Sequence, residues 1–356
     1  AGVINFEGED SENGSAAITG DVSVEGAGSQ INAKKKITAA NVTATAGAAI
    51  QFEEATVANV TATNSSVSFT ADASAATVAA TSATVSFAKA TLSGTVTATE
   101  STVTFGGGTT MPGITASKTA LELNGKVNGD ATVTECSGVK GIAEITGKLA
   151  LVSSTTDKNS QINAGEINVD LNSAFNAKAL TAGTMDVYGI ATATGVNTIE
   201  TLNVQPNAEV TLTGKSVKTS YVKNANVNKN ETTGKYGILN INKNLPLQTL
   251  TNNGEVNATE ATIVGGSNNA NIYGSFTVTG EFNQNMIADG TAITVEGENA
   301  ILNINKTTAL KSLTNKATVN IASKSELTFT DANNIIHTIA SDIIFFILSF
   351  SYLFYF

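Results

Sequence analysis

The stretch "NVTATNSSVSF" at 59–69 is followed by "TVAATSATVSF" at 77–87 and "TVTATESTVTF" at 95–105, three near-copies at a step of eighteen residues. Val42, Val60, Val78 and Val96 keep that step, as do Ala44, Ala62, Ala80 and Ala98. A second set, Ile50, Val67, Val85 and Val103, runs beside Phe52, Phe69, Phe87 and Phe105, with one residue lost between the first two units. Within each copy apolar and polar residues alternate strictly, as in Val67, Ser68, Phe69, which is the period of a strand with one face buried. Four apolar side chains cannot offset the entropy of ordering eighteen residues, so a lone unit is unfolded. Stacked units share ladder hydrogen bonds and bury Val on Val and Phe on Phe, and stability becomes a sum of neighbour interfaces. The repeat therefore predicts an all-β fold, a β-solenoid with the Phe column inside.

Working outward, the rest of the chain has the same texture in a looser rhythm. "VTLTGKSVKTSYVKNANVN" at 210–228 matches "LNINKNLPLQTLTNNGEVN" at 239–257 and "LNINKTTALKSLTNKATVN" at 302–320. The match aligns Val210, Leu239 and Leu302, then Leu212, Ile241 and Ile304, then Tyr221, Leu250 and Leu313, then Val227, Val256 and Val319. The chain accordingly reads as an acidic leader or cap at 1–14, a solenoid over 15–335 and an apolar tail at 336–356. Within the solenoid, regular eighteen-residue coils cover about 37–108 and irregular coils 109–335.

Composition narrows the function classes. The 356 residues include no Trp, only three Pro and 20 basic residues, all of them Lys, against a net charge of −10. The abundance of Ala, Thr, Val, Asn, Ser and Gly suits strands and tight turns. A net negative chain without Arg argues against a nucleic-acid partner, and "KKK" at 34–36 reads as a solvated turn. The single Cys136 reads as a small buried side chain and the single His337 as structural or solvent-facing, because a metal site needs several ligands. No cofactor is implied. Triplets at Asn41, Asn59, Asn64, Asn230, Asn257 and Asn305 match the glycosylation acceptor, as chance alone produces in a chain rich in Asn and Thr.

The repeat texture over about 15–335 resembles the right-handed parallel β-helix superfamily, and within it the adhesin-like surface and secreted repeat proteins. That resemblance implies a single-stranded right-handed coil, an extracellular or cell-surface location, and a surface ligand that is a glycan, a protein or a lattice. The superfamily also contains polysaccharide-active enzymes, which need clustered carboxylates. Here Asp130, Glu135, Glu144, Asp170, Asp186 and Glu200 are scattered, and Tyr188, Tyr221, Tyr236 and Tyr273, which could offer sugar platforms, are spread along the middle. The glycine-rich calcium nonapeptide is missing, since "GGGTT" at 106–110 and "GGSNNAN" at 265–271 lack its Asp.

Three readings of function follow. The first is a non-enzymatic, adhesin-like or stalk-like solenoid that presents binding surfaces. The second is an ice or regular-lattice binder acting through outward Thr-x-Thr columns, with Thr43, Thr45, Thr61, Thr63, Thr81, Thr97 and Thr99 as the candidate face and Ala79 as its imperfection. The third is a polysaccharide-active enzyme. A Thr face aligned over five or more coils favours the lattice binder, and a groove with two carboxylates about 5 to 10 Å apart favours the enzyme. The final "IIFFILSFSYLFYF", 343–356, reads as a membrane or lipid-attachment anchor, an artefactual end or a cap; fourteen residues fall short of a membrane-spanning helix.

Overall fold

The computed structural model describes residues 2–6, 16–17, 20–34, 36–214, 220–243, 245–285, 291–330 and 336–340. They form an all-β parallel β-solenoid with no helix among the described residues. The apolar stretch 343–356, most of the 1–14 leader and Lys35 lie outside the described residues. Two compact units divide the chain, Ala1–Ala177 and Lys178–Phe356.

In Ala1–Ala177 each turn carries three short strands. Stacking in parallel and in register, they make three faces. On the first, Val96–Thr99 lies between 78–81 and Ile114–Ser117. On the second, 102–105 lies between 84–87 and 120–123, and on the third 109–111 lies against 125–127. Because side chains alternate along each strand, every second residue enters the core. Val42, Val60, Val78 and Val96 are at most 1% exposed, and Ala44, Ala62, Ala80 and Ala98 at most 2%. The Phe column is a true ring stack. Phe69 and Phe87 lie 4.6 Å apart with an interplanar angle of 3°, and Phe87 and Phe105 lie 5.6 Å apart at 7°. Phe52 closes the column edge-on against Phe69.

The regular step runs further than residue 108. Val96 pairs with Ile114, Ile114 with Ala131, Ala131 with Leu149 and Leu149 with Ile167, steps of seventeen or eighteen throughout. The coil persists while its letters change, because a core position needs apolar volume rather than one residue type.

A corner between the first and second faces recurs in each turn. Ala46, Asn64, Ser82, Glu100, Lys118, Glu135 and Ser153 all adopt a left-handed backbone with φ between 47° and 56°. Only Asn tolerates that conformation readily. The others are held there by the stack: Ala46, Ser82, Glu100, Lys118 and Glu135 donate their N–H to a carbonyl in the next turn, as Ser82 does to Thr99 at 2.9 Å, and Ser153 donates to the Asp170 carboxylate. One residue on, a ladder of side chains fills the inside of the corner. Ser101 Oγ accepts from Ala83 N–H, Thr119 Oγ1 from Ser101, Cys136 Sγ from Thr119, Ser154 Oγ from Cys136 and Ser173 Oγ from Ser154. Ser101, Thr119, Cys136 and Ser154 also donate to the carbonyl two residues back, so these buried groups are satisfied on both sides.

This ladder explains the lone cysteine and makes two expectations. Ser154→Ala strips the acceptor from the Cys136 N–H, which is 3.0 Å away and buried. The unit is expected to lose about 1–3 kcal/mol in urea unfolding, whereas Ser154→Cys, which keeps an acceptor of the kind Cys136 itself supplies, loses less. Cys136 is 2% exposed, and burial raises its thiol above the ordinary value, with Thr119 and Thr134 backbone bonds working the other way. Native Cys136 is therefore expected to react with a thiol reagent at pH 8 more than about tenfold slower than the unfolded chain, which also makes it a probe of opening.

The Lys178–Phe356 unit uses the same strand physics with uneven corners. Leu202 pairs with Ala225, Ala225 with Leu250 and Leu250 with Gly266, steps of 23, 25 and 16. The alignment of Val210 with Leu239 and Leu212 with Ile241 is realised as direct pairing. That of Tyr221 with Leu250 and Val227 with Val256 is not: Ala225 pairs with Leu250, and Val256 stacks on Leu239. The cause is the uneven spacing of the strands: Val222 follows Leu212 by ten residues and Leu247 follows Ile241 by six, so the offset falls from 29 to 25, while the turn at 228–237, closed by a bridge from Lys229 to Tyr236, lengthens both alike. Asn side chains bridge neighbouring turns. Asn269 donates to Asn253 at 3.0 Å, Asn285 to Asn269 at 2.8 Å and Asn305 to Asn285 at 2.8 Å. His337 lies on Ile336–Ala340, which pairs antiparallel with Glu326–Thr330 and sets His337 opposite Phe329.

Candidate functional site

The outward positions of the first face of Ala1–Ala177 carry the candidate residues. Thr43 pairs with Thr61 and Thr45 with Thr63; Thr61 pairs with Ala79 and Thr63 with Thr81; Ala79 pairs with Thr97 and Thr81 with Thr99. All seven sequence-identified threonines therefore stand on one face in two columns, each flanking a buried Ala. Thr61, Thr81 and Thr97 are exposed, and Thr43, Thr45, Thr63 and Thr99 half-buried.

The columns continue beyond those seven. Thr97 pairs with Thr115 and Thr99 with Ser117, and these pair in turn with Thr132 and Thr134. The second column thus presents a hydroxyl at Thr45, Thr63, Thr81, Thr99, Ser117 and Thr134 without a gap, and the first is broken only at Ala79. The four added residues sit in "ITAS" at 114–117 and "ATVT" at 131–134. Their offsets of eighteen and seventeen carried the signal, but Ile and Ala in place of the leading Val disguised it. None of the twelve positions from Thr43 to Thr134 holds a charged residue. Below the face Ser23 and Glu25 pair with Thr43 and Thr45; above it come Ala150 and Val152, the latter 39% exposed.

Strand geometry fixes the array at about 4.8 Å between turns and about 6.7 Å along each strand. Thr suits such an array because its branched Cβ restricts χ1, so hydroxyl and methyl are held at little further entropic cost. One border is also pinned: Asn59 Nδ2 donates to Asn41 Oδ1 at 2.7 Å and Thr77 Oγ1 donates to Asn59 Oδ1 at 2.6 Å. Charges border the array at Glu25, one turn below Thr45, and at Glu100, Lys118 and Glu135 in the adjoining corner, and further ion pairs lie on other faces. Lys89 pairs with Asp72 at 3.1 Å, Lys126 with Glu144 at 2.6 Å and Lys140 with Glu122 at 3.0 Å.

The scattered acids have structural tasks. Asp130 accepts from the Lys148 N–H at 2.8 Å, Asp170 from the Ser153 N–H at 3.1 Å and Asp186 from Asn203 at 2.7 Å. Glu144 is taken by Lys126, and Glu135 lies 3.8 Å from Lys118. Glu200 accepts from Lys223 at 2.8 Å and Tyr221 at 2.7 Å, and these donors, Lys223 foremost, hold its carboxyl below the usual range. Among the described residues no group of three or more His, Cys, Asp or Glu is arranged to hold a metal ion, and no helix is long and apolar enough to cross a membrane.

Compared with protein-family models, curated proteins and solved structures, the chain matches none. The reading of function rests on the site itself.

Proposed function

We propose that the protein is a non-enzymatic, extracellular or cell-surface β-solenoid whose Thr face binds a regular, repeating surface, with ice as the lattice its spacing suits. The observation that carries this is the register of Thr and Ser over six successive turns on one uncharged face. Each hydroxyl contact is weak. Eleven hydroxyls at one fixed spacing engage a matching lattice together, and their summed effect grows steeply with the number of rungs. The spacing of the columns is close to the oxygen repeats of ice, and the methyl groups order the water between them. A charged side chain on the face would hold its own hydration shell against that order, and the face has none.

A second reading, a surface stalk that spaces other binding regions, is favoured by the Asn ladders and pinned corners, which invest hydrogen bonds in stacking alone. The two part in an ice-recrystallisation assay on the full chain. Inhibition of crystal growth at micromolar protein supports the lattice face. Growth as fast as in buffer with a control protein leaves the stalk.

A further inference from the structure

We propose that the Lys178–Phe356 unit carries a second binding site, a groove for an uncharged oligosaccharide. Thr211, Asn240, Asn257 and Tyr273 stand in one outward column on four successive turns, each in direct register with the next. Beside them opens a groove of about 390 Å³, within the range of small-ligand sites, bounded across from the column by Asn242 and Thr259. None of its lining residues is charged. Gly274 lines it next to Tyr273, with φ at 109°, and a Cβ there would stand 1.8 Å from the Ala258 carbonyl oxygen. Only glycine lets the two turns approach so closely.

The chemistry along this column is that of sugar recognition. A pyranose presents an apolar C–H face and a rim of hydroxyls that both donate and accept. Tyr273 is 42% exposed and Tyr236 38%, so two aromatic faces are open to solvent, and an amphipathic ring of this kind binds an apolar face while its edge stays wet. The amides orient one another, and their mutual bonds leave the Asn257 Oδ1 to accept from a sugar hydroxyl. Asn257 Nδ2 donates to Asn240 Oδ1 at 3.0 Å and to Glu255 Oε1 at 2.9 Å, and Asn240 Nδ2 donates to Glu209 Oε1 at 2.9 Å. Tyr236 is tied to the same cluster, because the Glu255 charge, aided by burial and a hydrogen bond, raises its phenol above the ordinary value. Glu209 and Glu255 beside the amides disfavour an anionic sugar. Neither lines the groove, and each accepts an Asn amide, so they act as anchors for the column and do not form a carboxylate pair within the groove.

The test is a titration of the full chain with neutral oligosaccharides of the gluco, manno, xylo and N-acetylglucosamine series, read by calorimetry and by Tyr fluorescence, since the chain has no Trp. At least one series is expected to bind, about tenfold or more weaker in Tyr273→Ala, weakened less in Tyr273→Phe, which keeps the ring, and unchanged in Tyr188→Ala, an exposed Tyr elsewhere on the unit. If Tyr273→Ala does not fold by circular dichroism, Asn257→Ala takes its place with the same expectation. Binding by none of the four series overturns the proposal, and so does binding that Tyr273→Ala or Asn257→Ala leaves unchanged. Neither result bears on the Thr face, which belongs to the other unit.

Discussion

Phe87→Ala is expected to cost the Ala1–Ala177 unit about 3–5 kcal/mol, measured by urea unfolding of the full chain followed by circular dichroism. Phe87 is 1% exposed and is the ring with stacked neighbours on both sides, Phe69 at 4.6 Å and Phe105 at 5.6 Å. Truncation removes the buried ring, breaks two aromatic contacts and leaves a cavity that parallel strands pinned above and below cannot close. Because a solenoid is stabilised interface by interface, the loss falls on two adjacent interfaces at once. Phe87→Leu, which keeps most of the volume, is expected to cost less than half as much. Equal losses in the two variants would mean that the ring stack contributes nothing beyond apolar volume.

Thr81→Lys is expected to lower ice-recrystallisation inhibition by about tenfold or more while changing stability by no more than about 0.5 kcal/mol. Thr81 is exposed and stands mid-column, between Thr63 and Thr99. A Lys there sets a long, strongly hydrated cation in the middle of an array that otherwise carries no charge, and it divides six rungs into shorter runs. The fold tolerates it, because neighbouring faces already carry exposed Lys on strands, as at Lys89 and Lys126. The reverse change, Ala79→Thr, fills the one gap in the first column and is expected to raise activity. An inhibitor unaffected by Thr81→Lys would act through another surface.

The sequence displays the solenoid where its core positions repeat the same letters. Val60, Val78 and Val96 with Phe69, Phe87 and Phe105 make the step of eighteen visible, and the structure stacks them in that register. Legibility fades from residue 109 because Ile114, Ala131, Leu149 and Ile167 fill the Val position in turn. Two rungs of the Thr face, Thr115 with Ser117 and Thr132 with Thr134, were hidden behind that change of core residue. In the Lys178–Phe356 unit the difficulty is different: Val222 follows Leu212 by ten residues but Leu247 follows Ile241 by six, so a constant offset of 29 fits 210–212 against 239–241 and fails for Tyr221 and Val227.

Two features have no local signature at all. The corner ladder uses Ser101, Thr119, Cys136, Ser154 and Ser173, residues that in sequence look like any polar turn. Their role exists only once successive turns lie one strand spacing apart. The groove beside Tyr273 likewise gathers residues sixteen to twenty-nine positions apart, where the alignment of turns, and no motif, brings Asn240, Asn257 and Tyr273 together.

The most direct measurement is the partition of the full chain onto growing ice. Amine-labelled protein serves, because the Thr face holds no Lys and Cys136 is buried. The labelled wild type is predicted to accumulate on the surface of a slowly grown ice crystal and to be incorporated into it, with Thr81→Lys left in the liquid. Exclusion of the wild type from the ice to the same extent as Thr81→Lys contradicts the assignment of the Thr face.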